Sequence, residues 1–345
     1  MSKVCLVSDL HFGIKKSNDL FLESQMRFLK NEFVPYLTEN KIKEIYMLGD
    51  LFDNRNHINV KIKNAVFDLF ENELAPFKIT ILAGNHDIYY TTTSKINSIK
   101  WLSKFENVTI LDSGASLKNN MCLVPWVIDQ PKFEKALCKV KDDVNICMGH
   151  FDIVGFNMNK TYVSKVGMVD DYFYSNFDLT FSGHYHTRTE QTKRKSKIVY
   201  VGSPYQMDRN DIGEERGFTI LDTETLEYEH IDNTTSMKFV DVFYPDKLKK
   251  KDIENNIVQV NITYDDTYNE EDIQTYLKDV EDMNPSFPPT VKVLSKDTDN
   301  KELDFDNVQS ANELIKEYIN TLEIDNKEEI YSQMADLYEE CKGAI

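Results

Sequence analysis

Five short apolar runs of this chain end alike, in a sharp turn followed by aspartate, asparagine or histidine. The segments read LVSDLHFG, YMLGDLFD, ILAGNHDIYY, ICMGHFD and FSGHYHTRTE. They place Asp9 with His11, then Asp50, then Asn85 with His86 and Asp87, then His150, and last His184 with His186. Five of the seven histidines occupy such positions, all but His57 and His230. Residues two apart on an extended chain face the same side, so His184 and His186 point together. In open α/β sheets, sites gather at the carboxyl ends of strands, and the five clusters are expected to converge there. Gly, Asn, Asp and His also favour turns, so any single cluster reads equally well as a turn. Five in order, each after a strand, do not.

Gly49, Gly84, Gly149 and Gly183 each directly precede a candidate ligand, where a missing side chain lets the backbone turn and approach closely. The chemistry this suits is a pair of divalent ions sharing one carboxylate and clamping the oxygens of a phosphoester. Imidazole, carboxylate and amide donors without thiolate favour manganese, iron or zinc over magnesium. The ion expected most is Mn2+.

Up to about residue 235, apolar runs alternate with amphipathic stretches, which predicts an α/β layered body around central sheets. Helices are expected near residues 18–38, 60–73 and 94–105, where apolar residues recur at three- and four-residue spacing. Residues 236–295 read strand, strand, helix, strand, a small α+β capping domain. An acidic linker is expected over 296–308 and a helical tail over 309–345, with two apolar stripes. The net charge is −18, yet residues 297–345 carry 14 acidic side chains against 4 lysines, so −10 of it belongs to the tail. A phosphate-binding face on the body is therefore not excluded.

No apolar run approaches the roughly 18 residues that would cross a bilayer. The start, Met1-Ser2-Lys3 followed by VCLV, reads as a first strand rather than a signal peptide. The five cysteines are scattered without a CxxC, as for reduced thiols in a cytoplasmic protein.

DxH, GD, GNHD, GH and GHxH in this order resemble the calcineurin-like metallophosphoesterases, over about residues 3–225. GDLFD, LVPW at 123–126 and YVGSPYQMDRND with RGFTILDTET at 200–225 are similar to SbcD-type DNA double-strand-break-repair nucleases and to the phage recombination endonuclease subunit. The protein Ser/Thr phosphatases would instead carry GDxVDRG and GNHE. The resemblance implies one metal on Asp9, His11 and His186, another on Asn85, His150 and His184, and Asp50 bridging them. It implies that His86 is no ligand but contacts the scissile phosphate and protonates the leaving oxygen. Asp53 and Arg55 lie near enough to support these ligands, or to cap the helix ahead of Val60.

TKRKSK at 192–197 brings Lys193, Arg194, Lys195 and Lys197 to a hairpin tip expected close to the metals, either gripping DNA phosphates or merely solvated. The resemblance further implies a coiled-coil ATPase partner of the SbcC type, bound through the C-terminal helices. A homodimer is compatible with it, and no membrane partner is expected. The leading expectation is a metal-dependent endo- and 3'-5' exonuclease subunit of DNA recombination, repair or replication, in host cytoplasm if phage-encoded. The alternatives are a phosphodiesterase or phosphatase of small phosphoesters, and a non-catalytic metal-bound scaffold for the ATPase.

Overall fold

Two six-stranded sheets lie face to face in the body of this computed structural model, which describes residues 3–294 apart from 119, 132, 134–143, 159, 161 and 264–268, together with Lys327. The first sheet is built from β1 (Lys3–Val7), β2 (Glu44–Met47), β3 (Lys78–Leu82), β6 (Val108–Leu111), β13 (Gly217–Asp222) and β14 (Tyr228–Asp232), in the order β14-β13-β1-β2-β3-β6. The second contains β7 (Ser116–Lys118), β8 (Met121–Val124), β9 (Ile146–His150), β10 (Leu179–Gly183), β11 (Thr189–Lys193) and β12 (Ser196–Tyr200), ordered β11-β12-β10-β9-β8-β7. Strands β1, β2, β3 and β6 are parallel, as are β8, β9, β10 and β12.

Strand alternation explains the layering. Val4 and Leu6 of β1 pack with Leu123, Met148, Phe181 and Val199 of the second sheet. Cys5 and Val7 face the other way, onto Leu22, Phe28, Leu29, Phe33, Val66 and Phe70 of the helical layer. Behind the second sheet, Cys122, Cys147, Ile198 and Tyr200 meet Phe151, Phe156, Phe173 and Phe177. Both faces of each sheet are covered, so the strands read as continuous apolar runs rather than alternating ones. The fold class is the expected layered α/β body.

The helix predicted over 18–38 forms as Asp19–Phe28 and Val34–Glu39 joined by a π-helical turn, Leu29–Phe33. Pro35 lies just beyond that turn and lacks the N–H that regular winding needs. The prediction for 94–105 fails. Residues 93–97 form β5 (Thr93–Asn97), paired antiparallel with β4 (Ile88–Tyr90), and only Lys100–Lys104 coils, as a 3₁₀ turn. The periodicity came from Ile99, Leu102 and Phe105, three residues apart, which suits a 3₁₀ turn as well as an α-helix.

Beyond the body, β15 (Phe239–Tyr244), β16 (Ile257–Thr263) and β17 (Thr290–Leu294) form a third sheet, with the helix Glu270–Asp282 after β16. It has its own apolar cluster of Ile253, Val258, Val260, Ile262 and Val280. It is tied to the body through Met237 N–H donating to Ser24 Oγ (2.8 Å), Phe239 N–H donating to Gln206 Oε1 (2.7 Å), and an Arg209–Asp241 ion pair. The acidic linker and the helical tail lie outside the described residues, apart from Lys327. Among the described residues no helix is long and apolar enough to cross a membrane.

Candidate metal centre

Parallel register decides which side chains meet. Val7 pairs with Met47 and Met47 with Ile81, so the loops carrying Asp9, Asp50 and Asn85 leave the first sheet at one edge. In the second sheet Gly183 pairs with His150, which sets His184 beside it. Both sets of carboxyl ends face a common cleft, as ring contacts and hydrogen bonds between the two sheets show.

The loops are strained where the donors are. Asp9 (φ 55°), His11 (φ 42°), Asp50 (φ 54°) and His184 (φ 88°) all adopt left-handed backbone. Each such residue costs about 1–2 kcal/mol, and strain of this kind survives only where surrounding bonds impose it. The imposing bonds are Asp9 N–H to Gly49 O (3.1 Å), His11 N–H to Asp50 O (3.0 Å) and His184 N–H to the Asp9 carboxylate (3.2 Å). Of the preceding glycines Gly49 turns the chain (φ 99°), while Gly84 and Gly183 serve closeness. A Cβ on Gly84 would overlap Asp50, and one on Gly183 would overlap Ser8 Oγ.

Two groups of donors flank Asp50, and a third set, His11, Asp53 and His86, also lies close enough together to hold an ion. Asp9 Oδ1 lies 3.9 Å from His11 Nε2 and 3.9 Å from His186 Nε2, and the two imidazole nitrogens face each other at 3.1 Å. On the other side, Asn85 Oδ1 lies 3.0 Å from His150 Nε2 and 3.0 Å from His184 Nδ1. Asp50 Oδ2 stands between the groups, 3.3 Å from His150 Nε2 and 3.7 Å from His11 Nε2. A first-row ion holds such donors at about 2.0–2.2 Å, so neighbouring donors of one ion lie roughly 3–4 Å apart. The observed spacings have that size, and the residues fit divalent metal ions.

Hydrogen bonding outside the cluster aims the rings. His150 Nδ1–H donates to the Leu48 carbonyl (2.6 Å), which turns Nε2 toward Asp50 and Asn85. That point of the site favours positive charge: burial pulls His150 down, but Asp50 and Asp9 outweigh it and raise the ring to about 9. Burial pushes Asp50 up, yet His150, His11 and His86 together hold its carboxyl below the ordinary range. His184 is brought down to about 3 by burial and by His150, and His186 is lowered by burial and His11, so both remain neutral donors. Cys5, Cys122 and Cys147 are buried in the layers and lie outside these donor groups.

His86 stands beside the cluster. Its Nδ1–H donates to the Asp53 carbonyl (2.7 Å), its backbone N–H donates to Asp50 Oδ1 (2.8 Å), and its ring meets His11 edge-on with centroids 4.9 Å apart. Asp53 Oδ1 is 3.4 Å from His11 Nδ1, so Asp53 holds both histidines. Arg55 makes no hydrogen bond or ion pair among the described residues. Neither caps the helix Val60–Asp68, whose first turn is capped by Asn59.

The basic hairpin tip is elsewhere. Lys197 pairs in register with Leu179, at the amino end of β10, whereas His184 follows its carboxyl end. Five residues of strand at roughly 3.3 Å each put the tip about 16 Å from the donors. The expectation that Lys193, Arg194, Lys195 and Lys197 lie close to the metals is therefore corrected. Lys193 is paired with Asp171 and Lys197 with Glu190 (3.2 Å).

Three residues without an assigned role in the sequence support the centre. The buried Asp87 carboxylate accepts the N–H groups of Asp50 (2.9 Å), Leu51 (3.1 Å), Phe52 (3.4 Å) and Gly84 (2.8 Å), stapling two ligand loops together. Arg216 donates to the His186 carbonyl and to Ser203 Oγ (2.7 Å), and pairs with Asp211 and Glu214 (both 2.5 Å). Trp126, just past β8, lays its indole against His184 and His150, with ring centroids 5.1 and 5.9 Å away. Asp87, in GNHD, and Trp126, in LVPW, were visible as motif positions, but only the folded chain shows what each touches.

Residues 2–188 match the family model for calcineurin-like phosphoesterases. The chain is similar to exonuclease subunit 1 of Enterobacteria phage T4, at 28% identity over 329 residues that cover 93% of each chain. It is also similar to a putative phosphoesterase, 078R, of Invertebrate iridescent virus 3, at 24% identity over 59% of this chain and 57% of that one. Among solved structures, the purple acid phosphatase PPD1 from yellow lupin (Lupinus luteus) seeds aligns with 64% of this chain and 49% of its own, with a TM-score of 0.42 and 13% identity.

Proposed function

Because the chain belongs to the calcineurin-like phosphoesterase family, we propose that it is a metal-dependent DNA nuclease subunit that hydrolyses phosphodiester bonds in recombination, repair or replication. The observation that carries the proposal is the double donor group, with Asp50 Oδ2 between its halves at 3.3 and 3.7 Å. Asp9, His11 and His186 would hold one ion, Asn85, His150 and His184 the other, with Asp50 shared. When bound, the ions would supply charge for the attacking and leaving oxygens of an in-line displacement. Nitrogen and oxygen donors without thiolate suit manganese, iron or zinc, and Mn2+ is the ion proposed among these.

The protein's own part is orientation and proton handling. The Asp53 carbonyl engages the proton on His86 Nδ1, so Nε2 is the atom that, with the ring in its imidazolium form, would hand its proton to the leaving oxygen and leave the neutral ring behind. Similarity to a phage exonuclease subunit across 93% of both chains supports DNA as the substrate over small phosphoesters. The partner is proposed as an SbcC-type ATPase that docks on the apolar stripes of residues 309–345, a segment rich in acids and so unsuited to gripping DNA itself.

The test is to incubate purified protein with Mn2+ and either DNA or a chromogenic phosphodiester. Cleavage of DNA is expected; turnover of the chromogenic compound alone would refute the nuclease reading. Truncation near Ser310 should leave metal content and basal cleavage intact and abolish association with the ATPase. Continued co-purification of the truncated chain would put the docking site elsewhere.

A further inference from the structure

Trp126 has two surroundings. One edge of its indole packs on His184 and His150. It also lines a separate cavity of about 300 Å³, with Ile128 and Phe133 as further apolar walls and with Ser94, Asp112 and Asp129 among its polar groups. Strand register explains the placement: Val124 of β8 pairs with Gly149 of β9, so the residues after Val124 emerge at the same sheet edge as His150. Ser94 comes from the β4–β5 hairpin, the segment that follows GNHD. The cavity is thus walled by neighbours of the donor loops without sharing a donor with them.

Its chemistry is selective. No lysine or arginine lines it among the described residues, while two carboxylates do, so phosphate is disfavoured there. What suits an apolar slot with an aromatic wall and carboxylate acceptors is a flat, neutral ring that carries N–H donors. Resting on the nuclease reading, we propose that this cavity receives a nucleobase of the DNA strand, stacked on Trp126, while that strand's phosphate lies at the metal centre. A base and its own phosphate are close enough for the contact of Trp126 with His184 to span them. Stacking of this kind is tolerant of sequence, since every base has a π-face.

Trp101 and Trp126 are the two tryptophans of the chain. In a Trp101→Phe variant Trp126 is the sole indole. The change is mild, because Trp101 Nε1 is buried without a hydrogen-bond partner and its ring packs against Phe67 and Phe105. This full-length variant is titrated in Mn2+ with a short phosphorothioate-linked thymidylate strand and with an abasic strand of equal length and linkage. Binding is followed by the anisotropy of a dye on the strand, and indole fluorescence is read in parallel. The base-bearing strand should bind roughly tenfold tighter, the order of one base–aromatic stack, and should quench Trp126, whereas the abasic strand should bind without quenching. Equal affinity with equal fluorescence response would overturn the proposal. The unaltered protein provides a second measurement, with ordinary phosphodiester strands. Equal cleavage of base-bearing and abasic strands would remove the base site and leave the nuclease reading standing. Turnover of a chromogenic phosphodiester without binding of either strand would remove both.

Discussion

At the carboxyl end of β10, His184 is held in a left-handed backbone beside a buried carboxylate, an amide and other imidazoles. At the amino end of the same strand, the turn between β11 and β12 carries Lys193, Arg194, Lys195 and Lys197 into solvent, two of them in exposed ion pairs. Both ends looked functional for the same reason, a concentration of charged or ligating side chains. They differ in what the fold invests. One end is strained, buried and bonded from several loops at once. The other is a two-strand turn that also has one left-handed residue, Arg194 (φ 60°), but it is exposed and its ion pairs are screened by solvent, so they contribute little. Density of functional groups in the sequence is thus a poor guide by itself, while strain together with burial singles out the centre.

The strongest way to break this contrast is Asp50→Asn. The change removes the charge shared by both donor groups, so one or both ions should be lost on elemental analysis, and activity should fall by more than about 10³-fold. Two ions per chain after this change would mean that Asp50 does not bridge. Next in size is His86→Ala. Activity should drop by about 10²–10⁴-fold with metal content near normal, since the ring acts through a proton and not as a donor to the ions. Loss of metal along with activity would make His86 a ligand.

A smaller effect is expected for Asp87→Asn. The amide can accept fewer of the four N–H groups now bonded to the carboxylate and points its own N–H₂ at some of them. Metal affinity should weaken by about 10–100-fold, as for other partners that orient ligands from outside, and a metal titration reads it. Unchanged affinity would show that the two loops hold their shape without the staple. The least effect is predicted at the tip. Changing Lys193, Arg194 and Lys195 together to Ala should leave metal content and chromogenic turnover unaltered and leave the thermal midpoint nearly unchanged. If duplex binding instead falls steeply and its salt dependence flattens by about one unit per lost contact, the tip holds phosphate and the contrast between the two ends fails.

Much of the site was legible before folding because ligands of this type follow strands. An apolar run that stops at DLH, GD or GNHD announces both the strand and what lies past it, and parallel pairing then brings the ends together. Asp87 was equally visible, but its role was not, because nothing in GNHD says that the last side chain turns back onto the N–H groups of another loop. The misplaced tip has a similar cause. A hairpin reverses direction, so residues only a few positions after HYH lie at the far end of the sheet once β12 pairs alongside β10. The segment 94–105 failed because a three-residue apolar repeat does not distinguish an α-helix from a hairpin followed by a 3₁₀ turn.

By itself, the sequence determined which residues of this protein have donor atoms and that they follow strands, since apolar runs and their breaks are local properties of the chain. It also located the acidity in residues 297–345, a matter of composition alone. Only the tertiary structure decided the distances between donors, the left-handed backbone at Asp9, His11, Asp50 and His184, the ring orientation of His150 and the place of Trp126 against two histidines. Those depend on strand register and on bonds between loops up to 175 residues apart, as in the His184 to Asp9 contact. No local pattern encodes such a bond, because its energy exists only once the two sheets have packed.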